Sequence, residues 1–242
     1  MEVGKLAEYV LTSEEMSHYR GQIGAINWVV QCPRPDMAYE LKELSMKSKE
    51  ATMGDLRRAG KVISRLQDIN SYIFFPDIKD VESWSLVFTD ASHANLSDGV
   101  SSAMGCVVFL VGRDGVCCTI SWRANKIRRV VRSTLAAETM ALQEGLEEAM
   151  YIRSLIFELK HVEVPIVGYV DNKSLVEAVH STKQVNDRRL RIDIGAIKEV
   201  LGREVKQIRW IHGSSQLANC LTKRGASGTT LIKVLQDGQL VL

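Results

Sequence analysis

Apolar positions recur along the chain with two spacings. Over the first 80 residues the spacing is helical. Thr12 and Glu15 form a capping-box pattern ahead of Ile23, Ile26, Trp28 and Val30. Pro33 and Pro35 punctuate, and Met37, Leu41 and Leu44 then mark a second helix over 36–48. Leu56, Ala59, Val62, Ile63 and Leu66 line one face of a third over 53–68; 71–81, with Pro76, reads as a connection.

Near Trp84 the spacing shortens to two. Strands are predicted over 84–90, 104–111 and 116–122, the last two joined by a tight turn at Gly112-Arg-Asp-Gly115. A long helix over 133–160 follows, with Ser133 as its N-cap. Next come a strand over 164–170, helices over 173–180 and 188–201, a strand over 205–211, a short helix over 215–223, and a tail that is a modest helix at most. The expected fold is α/β: a mixed five-stranded sheet, its first three strands antiparallel, flanked by helices and preceded by a helical segment. The chain divides into that helical segment (1–80), a sheet-bearing domain (81–226) and a C-terminal tail (227–242).

Composition narrows the class. The 242 residues are 45% hydrophobic and 25% charged, which excludes wholesale disorder. No apolar run approaches the roughly 20 residues of a membrane helix, and the N-terminal Met1-Glu-Val-Gly-Lys5 lacks a signal-peptide layout. The expectation is an intracellular chain, in the cytoplasm, the nucleus or both, with no membrane and no small-molecule cofactor. A net charge of +2 is too mild to argue for nucleic acid by itself. The five cysteines are odd in number and form no CxxC, so buried reduced thiols are expected; the five histidines show no metal-ligand spacing.

Three acids stand on apolar faces. Asp90 ends a strand on the side of Phe88 and Leu86, Glu138 shares a helix face with Leu135, Ala141 and Leu142, and Asp171 ends the fourth strand. Each has a plainer reading: Asp90 and Asp171 as caps, Glu138 paired with a base. Together they are able to converge, and buried carboxylates that converge need cations between them. Hard oxygen ligands suit Mg²⁺ or Mn²⁺, and two such ions can drive phosphodiester hydrolysis.

These residues sit in a series of motifs: Phe88-Thr-Asp90-Ala-Ser92, Ile120-Ser-Trp122, Arg132-Ser-Thr-Leu-Ala-Ala-Glu138-Thr, Val170-Asp171-Asn172-Lys-Ser174, Arg191-Ile-Asp-Ile194 and Gln216-Leu-Ala-Asn219-Cys-Leu-Thr-Lys223. In this order they resemble the ribonuclease H domain of copia-type retrotransposon polyproteins. Upstream, Tyr19-Arg-Gly-Gln-Ile-Gly24 and Arg34-Pro-Asp-Met-Ala38 are similar to the C-terminal end of the same family's reverse transcriptase, its thumb or connection. The resemblance implies a ribonuclease H-like fold and cleavage of the RNA strand of RNA–DNA hybrids by two Mg²⁺ or Mn²⁺ ions on four carboxylates. It also implies a partner in the reverse transcriptase portion of the same polyprotein. Asp90, Glu138 and Asp171 match the first three ligands. The fourth position is Asn219, a neutral ligand that weakens the site and opens a second reading: a catalytically impaired nucleic-acid-binding remnant. Asp193 is a conceivable substitute outside the family pattern.

Tyr169-Val-Asp-Asn172 resembles a polymerase signature, but its second acid is missing; no complete palm is present, and no DNA synthesis is expected. His212 reads as a surface-strand histidine, and Trp122 as a core or rim aromatic with nucleic-acid stacking as the alternative. Arg123, Lys126, Arg128, Arg129 and Arg132 lie between the third strand and the long helix with no acid among them. They are either a solvated face or phosphate contacts, with Asn172 and Ser174 as further nucleic-acid contacts. Arg188, Arg189 and Arg191, and Arg203, Lys206 and Arg209, form two further basic groups.

Overall fold

The computed structural model describes residues 9–67, 71–78, 84–96 and 98–241, with Asp114 by its backbone alone. The N-terminal Met1–Lys5 layout, the end of the third helix at 68 and the end of the connection at 79–81 lie outside the described residues.

Helix α1 (Ser13–Gln31) opens on the capping box: the Glu15 N–H donates to Thr12 Oγ1, and the Thr12 N–H to Glu15 Oε2. Tyr19, Ile26 and Val30 are buried, whereas Trp28 is 70% exposed. Two residues from each neighbour, Trp28 lies on the opposite side of the helix from their stripe. Helix α2 (Ala38–Ser45) is shorter than the pattern suggests, because Pro35–Met37 form a 3₁₀ turn first. Helix α3 (Met53–Gln67) buries Ala59 and Val62.

Among the described residues the five strands are β1 (Trp84–Ser92), β2 (Ala103–Val111), β3 (Cys117–Lys126), β4 (Ile166–Val170) and β5 (Val205–Trp210), in the order β3-β2-β1-β4-β5. β1, β2 and β3 pair antiparallel, while β4 lies parallel to both β1 and β5. This is the expected mixed five-stranded sheet with its first three strands antiparallel. β3 runs four residues past its predicted end, with Arg123 opposite Cys106 and Lys126 opposite Ala103. Arg123 and Lys126 therefore belong to the strand, not to the loop after it. β3 is an edge strand, where charged side chains are tolerated and the apolar pattern fades.

Among the described residues five further helices follow: α4 (Thr134–Lys160), α5 (Lys173–His180), α6 (Arg188–Val200), α7 (Asn219–Thr222) and α8 (Thr229–Asp237). Ser133 caps α4, accepting from the Ala136 N–H. The helix predicted over 215–223 is split into a 3₁₀ turn, Gly213–Ser215, and α7.

Each sheet face has its own core. Val87, Val108, Ile166 and Ile208 pack under Leu142, Leu146, Leu175 and Ile197 of α4, α5 and α6. Phe88, Phe109 and Val167 share the opposite core with Tyr19, Ile26, Leu44, Leu221, Leu231 and Leu235 of the N-terminal helices, α7 and α8. The Trp122 indole N–H donates to the Val30 carbonyl at 3.1 Å, tying β3 to α1 in a structural role. The tail is tied in by bonds from Cys117 N–H to the Gly238 carbonyl and from Leu240 N–H to the Gly115 carbonyl, both 2.8 Å. All five cysteines are free thiols; Cys106, Cys117 and Cys220 are buried as expected. Cys32, at the surface end of α1, is exposed, and Cys118 is half-buried, its thiol on the Pro76 carbonyl at 3.4 Å. Among the described residues no helix is long and apolar enough to cross a membrane.

Candidate metal centre

Parallel pairing of β1 with β4 brings the C-terminal ends of both strands together. Phe88 and Tyr169 are register partners with rings stacked at 5.0 Å, and each stands two residues before an acid, Asp90 or Asp171. Glu138 reaches the same point from α4, which lies tightly on β1. A side chain at Gly145, two turns beyond Glu138 on α4, would collide with Thr89. One carboxylate oxygen from each of Asp90, Glu138 and Asp171 falls within 4.8 Å of the others. No other histidine, cysteine or carboxylate trio converges this way among the described residues.

Asp90 is fully buried and Glu138 is 3% exposed, with Asp171 half-buried. Burial, then the charges of Asp90 and Asp171, pushes the Glu138 carboxyl up to about 9. Asp90 is also raised, because burial outweighs the help of Lys223 and Thr222. Glu138 Oε2 is buried with no hydrogen-bond partner among the described residues. An orphaned carboxylate oxygen among like charges is costly alone and suits a divalent cation with oxygen ligands. The three acids thus fit such an ion.

The fourth corner differs. Asn219 Nδ2 donates to the Gly213 carbonyl at 2.6 Å, and its Oδ1 accepts from Lys223 Nζ at 2.5 Å. Lys223 also donates to Asp90 Oδ1 at 2.9 Å and stands 3.8 Å from Asp171 Oδ2. Thr222 donates to the other Asp90 oxygen. Burial works to lower the Lys223 ammonium, but the charge and hydrogen bond of Asp90, with the charges of Asp171 and Glu138, together more than reverse this, so it titrates above its ordinary value. Gln216, buried, donates to the Thr89 and Tyr169 carbonyls at 3.0 and 3.3 Å, clamping β1 to β4 just before their acids. Gly105, the register partner of Asp90, lets α7 lie against the sheet; a Cβ there would come within 2.7 Å of Leu221 Cβ.

Lys223, Thr222 and Gln216 were not singled out by sequence reasoning. The signal was available in part: all three belong to the motif that holds Asn219, and Lys223 follows Asn219 by one helical turn. Asp193 does not reach the cluster and is ion-paired with Arg129. His212 is exposed just beyond β5. Tyr169-Val-Asp-Asn172 is the end of β4 and the cap of α5, as expected.

The bases behave otherwise. Arg123 pairs with Glu148 at 2.5 Å and Lys126 with Asp98 at 3.2 Å. With Asp193 on Arg129, three of the five meet acids from distant stretches. Arg128 and Arg132 are exposed and make no ion pair among the described residues. Asn172 caps α5, its Oδ1 accepting from the Leu175 N–H at 3.1 Å, and Ser174 is exposed in the first turn. In the remaining groups, Arg191 holds the Val185 carbonyl at 3.0 Å and Lys206 lies over the Trp84 ring at 4.5 Å.

No family model matches the chain. It is 26% identical over 210 residues to the retrovirus-related Pol polyprotein from transposon RE1 of Arabidopsis thaliana, covering 86% of this chain and 14% of that protein. The same figures hold for transposon RE2 of that plant. The chain is similar in sequence to retrotransposon Pol polyproteins over most of its length. The chain spans 14% of the length of those curated relatives. It is also 26% identical over 134 residues to Secreted RxLR effector protein 161 of Plasmopara viticola, covering 55% of this chain and 90% of that one. Similar solved structures include LC11-RNase H1 in complex with an RNA/DNA hybrid (TM-score 0.43, 17% identity, 57% of this chain and 93% of that one). Another is the ribonuclease H domain of PFV (TM-score 0.37, 14% identity, 65% and 95%).

Proposed function

We propose that this chain, as part of a retrotransposon Pol polyprotein, cuts the RNA strand of RNA–DNA hybrids endonucleolytically with divalent cations, Mg²⁺ or Mn²⁺. The convergence of Asp90, Glu138 and Asp171 within 4.8 Å, with Glu138 Oε2 buried and unpartnered, is the observation that supports this reading most. When bound, such ions supply Lewis-acid activation of the phosphodiester and of a water nucleophile.

The chain's own residues do the rest. Asp90 and Asp171 hold the ion from rigid strand ends and Glu138 from α4, so the ligand set is fixed before substrate arrives. Arg128 and Arg132, unpaired beside the N-terminus of α4, take backbone phosphates, giving sequence-independent and salt-sensitive binding. Arg123, Lys126 and Arg129 contribute where they exchange an acid for a phosphate. Asn172 and Ser174, next to Asp171, face the strand to be cut, whose 2′-hydroxyls mark it as RNA. Residues 1–80 are proposed to derive from the end of the reverse transcriptase, with the rest of that enzyme as the intramolecular partner of this domain and 227–242 as its tail. The reading of a catalytically impaired nucleic-acid-binding remnant is favoured by Asn219 and by the Lys223 ammonium on Asp90.

A labelled RNA–DNA hybrid incubated with the protein and Mg²⁺ or Mn²⁺ separates them. Cleavage of the RNA strand that vanishes in Asp90→Asn supports the enzyme. Salt-sensitive binding without cleavage at any cation concentration supports the remnant.

A further inference from the structure

We infer that Lys223 is a resident cation of the carboxylate cluster and that the site consequently takes one divalent ion where four carboxylates would take two. The inference deepens the proposed function and rests on its reading of Asp90, Glu138 and Asp171 as cation ligands.

Geometry comes first. Lys223 Nζ lies 2.9 Å from Asp90 Oδ1, 2.5 Å from Asn219 Oδ1 and 3.8 Å from Asp171 Oδ2, so it fills the side of the cluster that Asn219 borders. The side bordered by Glu138 is the one with an unsatisfied oxygen, Oε2. The orientation of Asn219 is fixed from both ends: its NH₂ serves the Gly213 carbonyl and its oxygen serves the ammonium. The amide is therefore a hydrogen-bond partner for a lysine already in place.

Charge points the same way. Once ionised, three carboxylates carry three negative charges. Lys223 and one divalent ion balance them. A second divalent ion would leave the cluster with two surplus positive charges, a costly state beside Asp90 and Glu138, which are almost wholly buried and weakly screened. Asn219→Asp alone would not open a second place. It adds the charge, but sets a carboxylate oxygen against the Gly213 carbonyl and hands Lys223 another partner. Removing the ammonium as well is what should open it.

The test counts bound Mn²⁺ per chain by calorimetric titration, with electron paramagnetic resonance of free Mn²⁺ as a second count. The intact chain is expected to bind one ion, lost in Glu138→Gln. Lys223→Arg keeps the count at one. The double variant Asn219→Asp, Lys223→Met binds two, with an unchanged circular dichroism spectrum as the check on folding. Two ions in the intact chain would overturn the inference, and so would a folded double variant that still binds one. The intact-chain count needs no variant to fold. Hybrid cleavage measured in the same Mn²⁺ buffer separates this inference from the proposed function. One ion without cleavage leaves Lys223 as the second cation and removes the nuclease; two ions with cleavage does the reverse. No bound ion removes both.

Discussion

The acids and the bases of this protein obey different rules. Asp90, Glu138 and Asp171 come from two strand ends and a helix and meet within 4.8 Å, two of them almost wholly buried. Arg123, Lys126, Arg128, Arg129 and Arg132 are neighbours in sequence, and all five are exposed. A carboxylate on an apolar face signals its own importance, because burial without a partner is expensive. A run of surface bases signals much less. Its charge is readily cancelled by acids that the fold delivers from elsewhere, as Glu148, Asp98 and Asp193 do here.

The largest expected effect falls on the buried side. Asp90→Asn should lower hybrid cleavage by more than about 100-fold, since it removes a proposed cation ligand held by a rigid strand end. Binding of the hybrid in the absence of divalent ions should change little. Comparable losses of cleavage and binding would erase the distinction between the two groups.

A pH titration sharpens it. Glu138 titrates near 9 in the cation-free protein, against 4.5 when unperturbed. Between those values the folded chain holds a proton that the unfolded chain has released, so cation-free stability should fall as pH rises through this window, by on the order of 1 kcal/mol per pH unit. Cation affinity should move the opposite way, rising up to about tenfold per unit between pH 6 and 8 as the proton to be displaced becomes easier to lose. Thermal melts with and without Mn²⁺ at a series of pH values read both. A midpoint gain from Mn²⁺ that does not grow with pH would contradict the burial of Glu138.

Gly105→Ala probes how α7 is placed. The added methyl meets Leu221, so a destabilisation of about 1–3 kcal/mol is expected by chemical denaturation. The smallest effects are expected among the bases. Arg132→Ala or Arg128→Ala should weaken hybrid binding a few-fold and reduce the slope of log affinity against log salt by about 1. Arg129→Ala should do less, because Asp193 already occupies it. Equal effects at Arg129 and Arg132 would show that the ion pair is irrelevant to binding.

Much of the fold was legible for physical reasons. Period-two alternation located the central strands, and Thr12 and Ser133 marked the starts of their helices. The end of β3 was hidden because Arg123 and Lys126 look like a loop while pairing at the sheet edge. The split before α7 was hidden because Gln216 leaves helical geometry to bond the carbonyls of β1 and β4, a long-range demand with no local pattern. At the site, the three acids were legible as misplaced charges. Lys223 was not: a lysine at a helix end looks like solvent-facing charge, and only the fold carries its ammonium to Asp90.

Manganese anomalous scattering from a crystal grown in Mn²⁺ tests the convergence of the acids most directly. The expected result is an anomalous peak within about 2.5 Å of carboxylate oxygens from Asp90, Glu138 and Asp171 together. A crystal saturated with Mn²⁺ that shows no peak among these three side chains, with Lys223 alone balancing them, would contradict it.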